Sequence, residues 1–397
     1  MNLKHNKSLD IRYSMIHGLY WMTYCTMMGY ASVFLLHKGF NNSLIGVILA
    51  VSNIIATIAQ PALATYVDRT NKISLKNLIA IIVSGVIGFS ISVNFLKSPS
   101  IILIAVIIIV FTLTMSLQPL INSLSFEFES HGYEVNFGLA RGIGSVSYAV
   151  ISLILGYIVE KYNPDILPIF YVVLTSGLVI LIYTFSLPKG AKSQLVHERH
   201  YSRKGSNINI IGFCKKYKKF MVFLLGVICI FLDHTIINNF FIQIMTNVGG
   251  NSKDMGNAIF LAAVLELPTM SLFFKIKEKI SCRKLLVISS AAFTIKHIIT
   301  YFASSVAMIY VAQVVQVAGY ALFIPASVYY VSRLIDKSDM VKGQALVTGA
   351  ITVSGVFASL SGGILIDTLG VSSMLLIGAI VSVIGTILIF FTIEEFN

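Results

Sequence analysis

The sequence predicts an all-α membrane protein of twelve transmembrane helices, arranged as two pseudo-symmetric six-helix bundles. Three observations lead there. Hydrophobic residues make up 56% of the 397, with a mean hydropathy of +0.84. Charged residues are only 12%, about half the share usual in soluble domains. Apolar runs recur along the whole chain at the length of a spanning helix, which needs roughly 20 residues. Backbone groups in lipid must bond within their own segment, which favours helices. A membrane barrel would instead alternate over segments of ~10 residues.

Taken in order, the runs place spans at 13–36, 43–67, 77–96, 100–126, 138–160 and 165–187. Six more follow at 220–246, 256–274, 285–303, 306–332, 343–366 and 371–393. The first run is full length and carries Trp21 and several tyrosines, so it reads as a span and not a cleaved leader. The one long polar stretch, 188–219, divides the chain into an amino-terminal bundle (1–187), a basic linker (188–219) and a carboxyl-terminal bundle (220–397).

The halves repeat. PALATYVDRTNKISLKNL from Pro61 is echoed by PTMSLFFKIKEKISCRKLL from Pro268. Both then run Ile-Ser, one residue, a basic residue, one residue, leucine. A weaker echo links GLARGIGSVSYAVISLILGYIVEKY, from Gly138, with GQALVTGAITVSGVFASLSGGILIDTLG, from Gly343. Span two thus matches span eight, and span five matches span eleven. Parallel repeats of this kind place a solute site between the halves, near mid-membrane.

Lys and Arg set the orientation. Loops on the side of the amino terminus hold 23 of the 29 basic residues; the other side holds Lys38, Lys97, Lys161 and Lys253. Both termini are therefore expected in the cytoplasm, in a multi-pass plasma-membrane protein. The net charge of +12 follows from this asymmetry and from attraction to anionic lipid heads, so no nucleic-acid partner is implied. Cys25, Cys214, Cys229 and Cys282 show no paired spacing, and neither a disulfide nor a metal site is expected. No phosphate loop or nucleophile motif supports an enzyme. No cofactor is implied, and the chain is expected to work as a monomer.

Charges inside spans are costly, roughly 2.5–3.5 kcal/mol each by insertion measurements, and mark function by default. They are Arg141, Asp233, Glu266 and Lys296, with His234 and His297 beside two of them. Two positives face two negatives. Lys296 is expected to be held by Glu266, by Asp233 or by both. Asp233 and His234 are candidate proton carriers, with Asn238 one turn beyond His234. His297 lies 100° round the helix from Lys296 and is expected to bond a neighbouring helix. In span five, Arg141, Ser145, Tyr148 and Ser152 share one face. A forked donor and an aromatic platform suit a sugar's hydroxyls and C–H face. Tyr20, Tyr24, Asn53, Gln60 and Gln118 are further candidates for the cavity.

These residues resemble the major facilitator superfamily. ATYVDR, ending at Asp68 and Arg69, is similar to its loop between spans two and three, a conformational-switch element, although Ala64 stands where the motif has glycine. NFGLARGIGSVSYA, NNFF, LELP and IKHIITYFASS resemble the oligosaccharide/proton symporter group most. The resemblance implies that Arg141 binds sugar, that Tyr148 takes the place of a stacking tryptophan, and that Glu266 binds substrate. Lys296 stands for an arginine that poises the proton site. The glutamate usually paired with Arg141 is Asn122 here, which leaves the guanidinium for a substrate to neutralise. The group's proton-carrying glutamate and nearby histidine match Gly319 and Gln316, so coupling falls to Glu266 or to Asp233 and His234. The reading is proton-coupled uptake of a sugar, glycoside or nucleoside by alternating access. Drug or metabolite efflux and uncoupled facilitation are the alternatives; residues 138–160 lack the proline that efflux antiporters carry there.

Overall fold

The computed structural model describes residues 4–69, 73–96, 99–186 and 210–395. They group into two compact units, Met1–Arg199 and His200–Asn397, each of six spans.

In the first unit, α1 (Lys7–Tyr24) is capped by Asn6, whose side chain accepts from Ser8 and Leu9 amides. It runs into a π-helical segment (Cys25–Gly29), then α2 (Ala31–His37). The first span is therefore one rod with an internal irregularity. Such π segments widen the backbone ladder and tend to sit at functional sites. Gly39, at φ +80°, turns the chain into α3 (Asn42–Arg69). Then come α4 (Leu75–Val93), α5 (Ile101–Ser130), α6 (Phe137–Lys161) and α7 (Ile166–Thr184). Two short strands, β1 (Lys4–His5) and β2 (Tyr133–Glu134), pair in parallel. Asp10 accepts the Asn136 amide at 2.8 Å, tying the chain's start to the α6 cap.

In the second unit, α8 (Ile210–Lys216) leads into α9 (Lys218–Asn239), α10 (Phe241–Asn247), α11 (Ser252–Lys279), α12 (Cys282–Phe302), α13 (Val306–Leu334) and α14 (Met340–Thr392). The run read as one span over 220–246 is broken at Phe240, between α9 and α10. The last two spans form a single element whose helical geometry fails only at Gly370 (φ 84°, ψ 170°), a conformation suited to glycine. Ten helices are long and apolar enough to cross a membrane among the described residues. The first span escapes that count because its π segment splits it, and α14 supplies two. The polar stretch 188–219 is not wholly irregular, since Ile210 onward is helical; its earlier part lies outside the described residues.

The repeat seen in the sequence is structural. The first span of each unit is interrupted, at Cys25–Gly29 and at Phe240. The second carries an internal proline (Pro61, Pro268), and so does the fourth (Pro119, Pro325). Within each unit the same pairs pack: α1 on α6 as α9 on α14, α4 on α5 as α12 on α13, α3 on α5 as α11 on α13. Glycines permit the closest approaches. A Cβ on Gly144 would run into the Trp21 ring, and one on Gly226 would meet the Gly385 carbonyl at 2.9 Å. The core of each unit is apolar: Tyr13, Tyr20, Phe185 and Ile121 in the first, Phe220, Phe223, Phe293 and Phe323 in the second.

Candidate functional site

Polar side chains gather in both units. In the first, α6 projects Arg141 toward α1, where its guanidinium carbon lies 4.0 Å from the centre of the Trp21 ring. Arginine stacks on aromatic faces because a weakly hydrated planar cation meets the ring's negative face. Tyr20 and Tyr24 flank Trp21 at 5.4 and 5.3 Å. Tyr148, two turns beyond Arg141, meets Trp21 edge-on at 6.3 Å. Its hydroxyl reaches the π segment, where a Cβ on Gly29 would meet it at 3.0 Å and Cys25 Sγ at 3.3 Å. Arg141 and Tyr148 are both half-buried.

The rest of the expected stripe turns inward. Ser145 donates to the Arg141 carbonyl (3.3 Å) and Ser152 to the Ala149 carbonyl (2.7 Å), so both satisfy their own helix. Asn122 is placed on α5, where its backbone carbonyl accepts from the Tyr13 hydroxyl at 3.3 Å and from the Ser125 hydroxyl at 3.0 Å. Asp68 and Arg69 end α3; their side chains lie outside the described residues.

The second unit separates residues that the sequence grouped. Lys296 is wholly buried. Its ammonium donates to the Gln316 carbonyl oxygen on α13, and the Gln316 amide donates to Glu266 Oε1 on α11 at 2.6 Å. Lys296 and Glu266 therefore do not meet directly. An amide stands between them with its acceptor toward the cation and its donor toward the anion, the orientation that both charges favour. Glu266 and Gln316 are half-buried while Lys296 is not exposed at all.

Asp233 takes a different partner. Its Oδ2 lies 2.6 Å from His297 Nδ1, with both side chains essentially inaccessible. The contact is close but poorly aligned, since neither Asp233 oxygen completes a hydrogen bond by angle; what joins the two groups is proximity of charge. His297 Nδ1 also lies 2.9 Å from Ser382 Oγ, so this histidine does bond a neighbouring helix. His234 points elsewhere. Its Nε2 lies 3.0 Å from Asn238 Nδ2, which makes that nitrogen the acceptor, and its ring stacks on Tyr320 at 5.5 Å. Asn238 is exposed.

Residues 11–393 match the profile of the MFS_1 like family. The chain belongs to that family of the major facilitator superfamily. It is 24% identical over 392 residues to the uncharacterized transporter YwbF of Bacillus subtilis, covering 96% of this chain and 93% of that one. It is 23% identical over 350 residues to the maltose permease of Geobacillus stearothermophilus, covering 87% and 84%. Its fold is similar to that of the nucleoside transporter NupG, with a TM-score of 0.78, 15% identity and coverage of 97% and 99%. A bacterial homolog of the human lysosomal transporter Spinster follows at 0.67, with 12% identity and coverage of 97% and 96%. The chain is thus a solute transporter set in a lipid bilayer, with a small molecule as its substrate and not a reactant.

Two residues of these clusters went unread in the sequence. Trp21 served only as the mark of a span, yet it is the chain's single tryptophan and the surface on which Arg141 rests; the signal was the Tyr20, Trp21, Tyr24 spacing. His17 is fully buried, edge-on to Tyr13 at 4.7 Å and to Phe137 at 5.8 Å. Neither of its ring nitrogens has a hydrogen-bond partner among the described residues. A lone histidine in an apolar run was the available clue.

Proposed function

We propose that this transporter takes up a ring-shaped, hydroxyl-rich solute, a glycoside or a nucleoside, together with a proton, by alternating access. The single observation behind this reading is the Arg141–Trp21 stack with tyrosines around it. A guanidinium fork reads hydroxyl or carbonyl oxygens in pairs, and aromatic faces stack sugar C–H faces or nucleobases. Arg141, Tyr148 and Asn122 are the substrate-binding residues of the first unit; Glu266, Gln316 and Asn238 are those of the second. Glu266, Lys296, Asp233 and His234 form the charge network, and Asp68 with Arg69 belongs to the conformational switch. The names of the relatives support the solute class, since one is a maltose permease and a structural neighbour is a nucleoside transporter. The Lys/Arg asymmetry supports both termini in the cytoplasm, and the protein is taken to act in the plasma membrane as a monomer.

Trp21 makes the test direct. Because no other tryptophan contributes, the fluorescence of the purified protein reports on this stack. Maltose and uridine, titrated separately, are expected to quench or shift it saturably in one case, and Arg141→Lys is expected to move that response to at least tenfold higher solute concentration. A flat signal with both solutes counts against the solute class.

A further inference from the structure

Among the described residues, the most deeply buried acid–base contact is not at the Gln316 bridge. Asp233 on α9 and His297 on α12 are 0% and 1% exposed, and they meet at 2.6 Å. They do so against a strip of α14 made of Gly378, Ser382 and Thr386, spaced four residues apart and hence on one helix face. At Gly378 an added Cβ would fall onto Asp233 Oδ1, so glycine is what admits the carboxylate to that wall. Ser382 lies beside His297, and Thr294 bonds Ser382 at 3.1 Å and Thr386 at 2.8 Å. Three atoms of the pair stay without hydrogen-bond partners among the described residues, both Asp233 carboxylate oxygens and His297 Nε2.

Burying a carboxylate beside an imidazole inside a membrane-spanning bundle, with three orphan polar atoms, carries a desolvation cost that packing alone does not require. We propose that the Asp233–His297 pair is the site at which the coupling proton is bound. It rests on the proton-coupled reading above. The proton balance is simple. Lone pairs on both atoms cannot sit 2.6 Å apart, so Nδ1 keeps its hydrogen in both states, although it does not point squarely at Oδ2. Empty, the pair is a neutral imidazole with a carboxylate, net −1. Loaded, one more proton sits on Nε2, giving an imidazolium with a carboxylate, net 0. One proton arrives and one leaves per cycle, and no other bond changes.

The surroundings set how that proton is felt. On α9, His234 adjoins Asp233; on α12, Lys296 adjoins His297. Through the Gln316 bridge Lys296 is tied to Glu266 of α11, and α13 presents Tyr320 against His234. The strip of α14 facing the pair offers hydroxyls and a glycine. Lys296 and His297 are consecutive, so a solute that draws Glu266 or Gln316 away from Lys296 changes the positive charge beside the proton site. This is a route for coupling that needs no titrating residue at the Gly319 position.

The probe is the histidine itself. The full chain, with nitrogen-15 histidine and reconstituted in lipid, is titrated by NMR without any solute, and His297→Gln assigns the signal. The expected result is that lowering the pH puts a second proton on the ring, at Nε2. Asp233→Asn, which removes an opposite charge in contact, should weaken proton affinity at least tenfold, and sodium chloride should leave the midpoint in place. No proton uptake at Nε2, no response to Asp233→Asn, or displacement by sodium would overturn the proposal, the last in favour of a metal cation. If Asp233→Asn does not fold, the wild-type titration with and without sodium decides alone. In proteoliposomes loaded with maltose or uridine, the pair's variants should lose gradient-driven accumulation at least tenfold more than solute exchange. If wild type moves neither solute, the solute class fails while the NMR titration still judges the proton site.

Discussion

Replacing Gln316 by leucine removes the bridge between Lys296 and Glu266 without adding charge or much volume. Two hydrogen bonds to charged partners are lost, one from the Lys296 ammonium and one to Glu266 Oε1. Such bonds contribute about 1.5–3 kcal/mol each, so the gross loss is about 3–6 kcal/mol. The attraction between the two charges is present with the bridge in place as well and cancels from the difference, except for what leucine returns by letting them approach. The net expectation is a loss of about 2–4 kcal/mol. In a background where Lys296→Met and Glu266→Gln have removed both charges, the same substitution should cost under ~1 kcal/mol. Equilibrium unfolding in mixed detergent micelles reads both numbers. Independent sites add within about 0.3–0.5 kcal/mol. If Gln316→Leu costs the same in both backgrounds to that tolerance, the amide does not mediate between the charges and the bridge carries no energy.

Arg141→Lys keeps the charge but loses the planar fork, and should reduce solute affinity at least tenfold with folding intact, measured by Trp21 fluorescence; Tyr148→Phe should lose less, since its ring stays against Trp21. At the cytoplasmic face expected for α8, Lys216 meets Asp336 at 2.6 Å and Asp339 at 3.7 Å. The hydrogen bond from Lys216 holds the Asp336 carboxyl below the usual carboxylate range, and that same bond raises the Lys216 ammonium. A depressed carboxyl contributes above its unfolded value, about 3.9, and loses the contribution as pH falls through the folded one; a raised ammonium contributes below about 10.4 and loses it as pH rises through its folded value. The clamp should therefore hold across neutral pH and open at both extremes, with faster amide exchange in α8 at acid pH and in Asp336→Asn at neutral pH. Unchanged exchange in that variant would show the clamp to be idle. Reporter fusions after residues 200 and 280 should score as cytoplasmic and fusions near 163 and 250 as external, a pattern whose reversal would invert the orientation.

The spans and the repeat were legible because lipid imposes length and composition, and because prolines at Pro61 and Pro268 survive as fixed marks in both halves. Where the helices break was not. The π segment at Cys25–Gly29 and the stop at Phe240 contain no proline, and Phe240 is itself a fully buried aromatic; packing and not local propensity decides those breaks. The intramembrane charges were visible as a set, but their pairing was not. Lys296 and His297 are neighbours in sequence whose side chains go to different helices, as do those of Asp233 and His234. A 100° step per residue separates them, and only the identity of the facing helix, Gln316 on α13 or Ser382 on α14, tells which charge goes where. Tyr148 was legible as an aromatic on the face of Arg141, whereas the ring under the guanidinium is Trp21, on another helix and so beyond reach of spacing rules.

Coupled uptake is read most plainly as accumulation. Purified protein in proteoliposomes is given an inward proton gradient with radiolabelled maltose or uridine outside. One of the two should rise inside above its external concentration, a protonophore should abolish the excess, and Arg141→Lys vesicles should show neither. Entry that stops at the external concentration whatever the gradient, or no entry of either solute, would refute proton-coupled uptake of this solute class.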